Sequence, residues 1–176
     1  MQVKDLYPLA IEGNAANFER RMGPFVLIQR PPAPVLAAVA AQLGSGRTVG
    51  AAHLSRLGND ILAMLVGFKF LNVSTLNLQE GPRELVVGRL PDCGVVVEEP
   101  SVSKRHAVLR WDAEKKCCLL RDLGSMNGTY VNARQIHEEV ALSDGDALTF
   151  GDSPFLFMTS QALHAQVLTC GFEDPY

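Results

Sequence analysis

From Phe68 to about Met158 the apolar residues of this chain come in short runs or alternate with polar ones, and turn residues close each run. Glu84 to Val87 follows a turn at Gly81-Pro82, and Val95-Val96-Val97 is closed by Pro100. Ala107, Leu109 and Trp111 alternate with Val108 and Arg110. The charged stretch Asp112 to Lys116 then turns the chain so that Cys117 to Leu123 pairs back. Asn127-Gly128 reads as a tight turn, because both residues tolerate positive φ. Strands this short, punctuated this often, specify an all-β sandwich or barrel.

The sequence before Phe68 has a different texture. Asn14 is placed to cap a short helix through Arg21, with Phe18 and Met22 four residues apart on one side. Phe25-Val26-Leu27-Ile28 reads as a buried strand, stopped by Pro31-Pro32 and Pro34. Val35 to Leu43 is alanine-rich and helix-compatible, ending at Gly44, and His53 to Val66 has near-helical apolar spacing. Ser160 is read as the cap of a terminal helix with Leu163 and Val167 on one face. The expected division is a small α-rich extension with one strand over 1–67, a mainly β sandwich over 68–160, and a tail with a short helix over 161–176.

Composition narrows the function. With 176 residues, 47% of them apolar, the chain can bury an ordinary core. A formal net charge of −3 argues against broad nucleic-acid binding, which depends on many Lys and Arg contacts to phosphates. Cys93, Cys117, Cys118 and Cys170 lack metal-ligand spacing and read as reduced thiols filling apolar space. The histidines are scattered, so neither a metal nor a cofactor is expected. Met1 to Leu9 carries Lys4 and Asp5 and no apolar core. The runs Val35 to Ala41 and Ile61 to Gly67 are far below the ~20 residues that span a bilayer. A soluble cytoplasmic protein with no membrane partner is the expectation.

Two polar loops interrupt the strands. Ser103-Lys104-Arg105-His106 follows shortly after Gly88-Arg89, and Ser125-Met126-Asn127-Gly128-Thr129 comes about one hairpin later. A guanidinium, an ammonium, hydroxyls and an amide are what a phosphate asks of a protein. Arginine offers a fork of donors matched to phosphate oxygens, and lysine a point charge. Groups this far apart in sequence converge only if the strands bring their loops to one edge.

Leu85 to Arg89, Ser103 to His106, Asp122 to Asn132, Leu142 to Asp146 and Phe150-Gly151 succeed one another in an order that resembles the forkhead-associated (FHA) domain. The resemblance runs from about Phe70 to Met158. It implies a β-sandwich that reads phosphothreonine with the loops at one end, in a partner marked by an upstream Ser/Thr protein kinase. It further implies that Arg89, Ser103 and Lys104 contact the phosphate and that Asn127 fastens the backbone of the bound peptide. His106 and Thr129 are expected to brace the two loops, with Gly88 and Gly128 serving backbone geometry. Met126 departs from the pattern, standing where a polar residue such as Thr is frequent and leaving only its backbone amide near the phosphate. Gly94 stands where Asp is frequent, and Ala133 where Gly often makes a turn.

Rival readings are weaker. Gly44-Ser45-Gly46-Arg47-Thr48 lacks the lysine and the spacing of a nucleotide-binding loop. No nucleophile–base constellation is visible, so no enzymatic activity is expected. The alternative on the same fold is an interaction scaffold that binds without phosphate, since a fold by itself does not choose its function.

Overall fold

The computed structural model describes residues 1–30, 72–75 and 84–170. The helices expected over Val35 to Leu43 and His53 to Val66, the loop at Gly44 to Thr48 and the turn at Gly81-Pro82 lie outside the described residues.

Two sheets face each other. The first holds, in spatial order, β2 (Asn72–Thr75), β1 (Phe25–Gln29), β11 (Ser153–Thr159), β10 (Ala147–Phe150), β7 (Thr129–Val131) and β8 (Arg134–Gln135). The second holds β4 (Val95–Val96), β3 (Glu84–Gly88), β5 (Ala107–Asp112), β6 (Cys117–Asp122) and β9 (Val140–Leu142). Period-two alternation sends Leu85, Val87, Ala107, Leu109, Cys118 and Leu120 inward against Phe25, Leu27, Leu148, Phe150, Phe155 and Phe157. Val96 is exposed between buried Val95 and Val97, as that period requires.

Strand β1 belongs to the sandwich although it comes from the region expected as an extension. It lies between β2 and β11, with Leu27 opposite Phe157 on one side and Ser74 on the other. A boundary at Gly67 therefore does not separate the sandwich from what precedes it. The reason is legible in the strand itself. Phe25 and Leu27 face the sandwich interior while Val26 and Ile28 face a second apolar cluster, so both faces are buried and the strand reads as an unbroken apolar run.

The second cluster lies under helices α1 (Tyr7–Ile11), α2 (Ala15–Met22) and α3 (Ser160–Cys170). Asn14 caps α2, its side-chain oxygen accepting the Asn17 N–H at 3.0 Å. Phe18 and Met22 of α2 and Leu163 and Val167 of α3 pack onto Val26, Ile28 and Met158.

One local expectation is corrected. The cap of α3 is Thr159, whose hydroxyl accepts the Ala162 N–H at 3.2 Å. Ser160 is drawn inward instead, its hydroxyl donating to the Gly23 carbonyl at 2.6 Å and its N–H to the Pro24 carbonyl at 3.1 Å. Asn127-Gly128, with Gly128 at φ 80°, lies where the chain crosses between layers, because β6 and β7 belong to different sheets. The tight hairpin is one strand later, where Asn132 (φ 50°) and Ala133 (φ 64°) join β7 to β8.

Candidate functional site

Antiparallel pairing decides which loops meet. β3 pairs with β5 and β5 with β6, so the end of β3, the start of β5 and the end of β6 share one edge of the second sheet. Main-chain bonds tie them together. Arg89 N–H donates to the Ser103 carbonyl at 3.1 Å and Leu90 N–H to the Lys104 carbonyl at 3.2 Å. Leu123 N–H donates to the His106 carbonyl at 2.9 Å. Gly88 is required at this crossing, since a Cβ there would lie 2.3 Å from the Lys104 carbonyl oxygen and force strand and loop apart.

Behind the rim, His106 joins the loops. It is fully buried, and its Nδ1 accepts the Ser103 N–H at 3.0 Å. The ring proton therefore resides on Nε2, which donates to the Gly128 carbonyl at 3.0 Å. Burial pushes the imidazole pKa below its ordinary 6.5; the Gly128 bond and the Asp122 charge pull the other way without prevailing. The neutral tautomer is the one this geometry needs, because an imidazolium would turn a second N–H toward the Ser103 N–H.

Asp122 organises the other loop. Its Oδ2 accepts the N–H groups of Gly124 at 2.8 Å and Ser125 at 2.9 Å, while its Oδ1 accepts the hydroxyls of Ser125 and Thr129, each at 2.6 Å. Partial burial alone would raise its pKa, but the Ser125 and Thr129 hydroxyls and the two backbone donors outweigh that and hold the carboxyl below its ordinary value. The sequence reading gave Asp122 no role. An Asp followed two and three residues later by Gly and Ser is the available signal, an Asp-initiated turn. Ser101 was also missed. Its carbonyl accepts from the Asn127 side-chain amide at 2.8 Å and its hydroxyl accepts the Asp152 N–H at 2.9 Å.

The outer surface of this framework carries the five residues that the sequence assigns to ligand contact. Ser103 Oγ accepts the Met126 N–H at 3.0 Å, so its own O–H is left to donate outward. Asn127 spends one amide hydrogen on Ser101 and retains its oxygen and the other hydrogen. Arg89 and Lys104 are exposed, and among the described residues neither side chain has an ion-pair partner. Arg105, by contrast, is paired with Asp92. Met126 projects into solvent with 90% of its surface exposed.

The FHA domain family model matches residues 85–151. That stretch of the chain is an FHA domain. Strands β1, β2 and β11 and all three helices lie outside the matched stretch. Mediator of DNA damage checkpoint protein 1 from Rattus norvegicus is 42% identical over 73 residues, covering 39% of this chain and 6% of that protein. FHA domain-containing protein FhaA from Mycobacterium tuberculosis is 38% identical over 82 residues, covering 47% of this chain and 15% of that protein. The chain thus spans only a small part of the length of either relative. Among solved structures, the FhaA FHA domain complexed with the intracellular domain of Rv3910 has 27% identity and a TM-score of 0.45, covering 76% of this chain and 98% of that one. The Rv0020c FHA structure has 31% identity and a TM-score of 0.42, covering 51% of this chain and 82% of that one.

Proposed function

We propose that the rim formed by Arg89, Ser103, Lys104, Met126 and Asn127 binds phosphothreonine in a partner protein after a Ser/Thr protein kinase has marked it. FHA domains bind phosphothreonine peptides, and the site fits that use. The observation that carries the reading is the state of Ser103. Its lone pair is engaged by the Met126 N–H, which leaves a hydroxyl proton for a phosphate oxygen, beside two exposed cations without ion-pair partners among the described residues.

Arg89 and Lys104 supply the charge, Ser103 a neutral donor, and Asn127 a donor and an acceptor for the peptide backbone. Hydrogen bonds to charged groups contribute roughly 1.5–3 kcal/mol each, so three of them favour the phosphorylated over the bare peptide by at least ~10³. The domain acts as a binding module, and its place of work is the cytoplasm, where kinases and their products are found. Among the described residues no helix is long and apolar enough to cross a membrane.

A phosphate-independent scaffold on the same fold is the second reading, favoured by exposed, apolar Met126 where a polar residue is frequent. Titration calorimetry of matched phosphothreonine, phosphoserine and unmodified peptide libraries against the wild type and Arg89→Ala separates the two. The reader binds the phosphothreonine library and loses it in the variant. Equal heats from all three libraries would leave the scaffold.

A further inference from the structure

We propose that Met126 is a specificity residue, and that the rim selects a phosphothreonine with a bulky aliphatic or aromatic residue within about two positions of it. The inference rests on the phosphopeptide reading and adds to it a second, apolar requirement on the partner.

Three observations carry it. Met126 is 90% exposed, the most exposed of the large apolar residues among the described ones, and it stands beside the polar residues Ser103 and Asn127. Leu123, at the start of the same loop, is also exposed, at 38%. The Met126 main chain is not a free tip, since its N–H is bonded to Ser103 Oγ at 3.0 Å and the next residue, Asn127, is fastened to the Ser101 carbonyl at 2.8 Å. The thioether therefore leaves a held backbone between the proposed phosphate donor and the proposed backbone clamp.

Position determines reach. An extended peptide advances about 3.3 Å per residue, so a side chain rooted one hydrogen bond from the phosphate donor meets the residues next to the phosphothreonine rather than distant ones. Chemistry determines preference. Methionine is unbranched and polarisable, adapts to apolar partners of several shapes, and makes favourable contacts with aromatic rings. It can donate nothing to an acidic neighbour. Burial of the thioether against the ligand also removes an exposed apolar surface from water, a gain that a polar peptide residue cannot provide.

The test is a set of phosphothreonine peptides carrying Leu, Phe, Ala or Asp in turn at each of three positions on either side, titrated by fluorescence anisotropy against wild type and Met126→Ala. At one position within two residues of the phosphothreonine, Leu or Phe binds about 5–20-fold tighter than Ala to the wild type. In Met126→Ala that advantage falls to within about twofold, the coupling expected of groups in contact. An advantage that survives intact in Met126→Ala overturns the assignment, and so does the lack of any position with an apolar preference, while phosphate-dependent binding in both cases leaves the reader standing. If phosphorylated and bare peptides bind alike, the reader falls and this inference with it.

Discussion

The loop rim and the helix-covered flank lie on one framework and are held by different physics. The rim is a lattice of short hydrogen bonds centred on a neutral imidazole and a carboxylate, with charged side chains left over on its outside. The flank is apolar: Phe18, Met22, Leu163 and Val167 close over Val26, Ile28 and Met158, and its polar contacts are chiefly to backbone carbonyls, as from Ser160 to Gly23 and His164 to Ala10. Surplus donors on the rim give up little stability when removed, because they contact solvent before they contact a ligand. Side chains of the flank are buried in an apolar cluster away from the rim's donors. Affinity and stability should therefore come apart along this line.

The largest effect expected is on the flank. Phe18→Ala removes a fully buried ring packed against His164 at a centroid distance of 5.2 Å, and should cost about 3–5 kcal/mol in urea unfolding. The folded fraction should keep its phosphopeptide affinity; a parallel fall in affinity would show that the two regions are coupled. Arg89→Ala is the converse. It should weaken phosphothreonine binding by roughly 10²-fold or more, the worth of one or two charge-assisted bonds, while unfolding shifts by no more than about 0.5 kcal/mol. A large loss of stability in Arg89→Ala would mean that the guanidinium supports the fold.

Acid should act on the rim through two groups. Because His106 in the folded state has a pKa below 6.5, the unfolded chain binds a proton that the native state refuses once the pH drops under 6.5. Stability of the unliganded protein should thus fall with pH from there until the folded value is passed. Asp122, lowered from 3.8, adds stability that is complete above 3.8 and disappears as the pH falls through its lower folded value. Neither group predicts a change above pH 7. Urea midpoints from pH 7.5 to pH 5, for wild type and His106→Asn, check the first group; an equal slope in the variant would assign the effect elsewhere.

The smallest effect is a control that belongs to neither region. Ala133 holds φ at 64°, a conformation that disfavours an L-residue by roughly 1–2 kcal/mol, so Ala133→Gly should stabilise by about 0.5–1 kcal/mol after the entropy of glycine is set against the relief. A rise of a few degrees in melting temperature without change in phosphopeptide affinity is the expected outcome.

What the sequence made legible follows the same division. Local chemistry was readable in the Asn14 cap and the alternation of Ala107 to Trp111, and the resemblance to the FHA domain implied that the loops carrying Arg89, Ser103 and Asn127 share one edge. Partners set by long-range packing were not. Nothing in Phe25 to Ile28 reveals that its neighbours are Ser153–Thr159 and Asn72–Thr75. Asn127-Gly128 carries the residues of a hairpin turn, yet the chain there passes between sheets, and the hairpin falls at Asn132-Ala133, where alanine conceals it. Asp122 escaped because its four acceptor bonds depend on the turn closing on itself and on Thr129 across it.

Strand β1 has a bearing on how the molecule assembles. Its hydrogen-bonded neighbour β11 follows it by more than 120 residues of sequence, so the first sheet cannot be completed until Ser153–Thr159 has been synthesised. A fragment trimmed to 85–151 would lack β1, β2 and β11 and leave β10 with one side of its backbone unpaired, an open invitation to self-association.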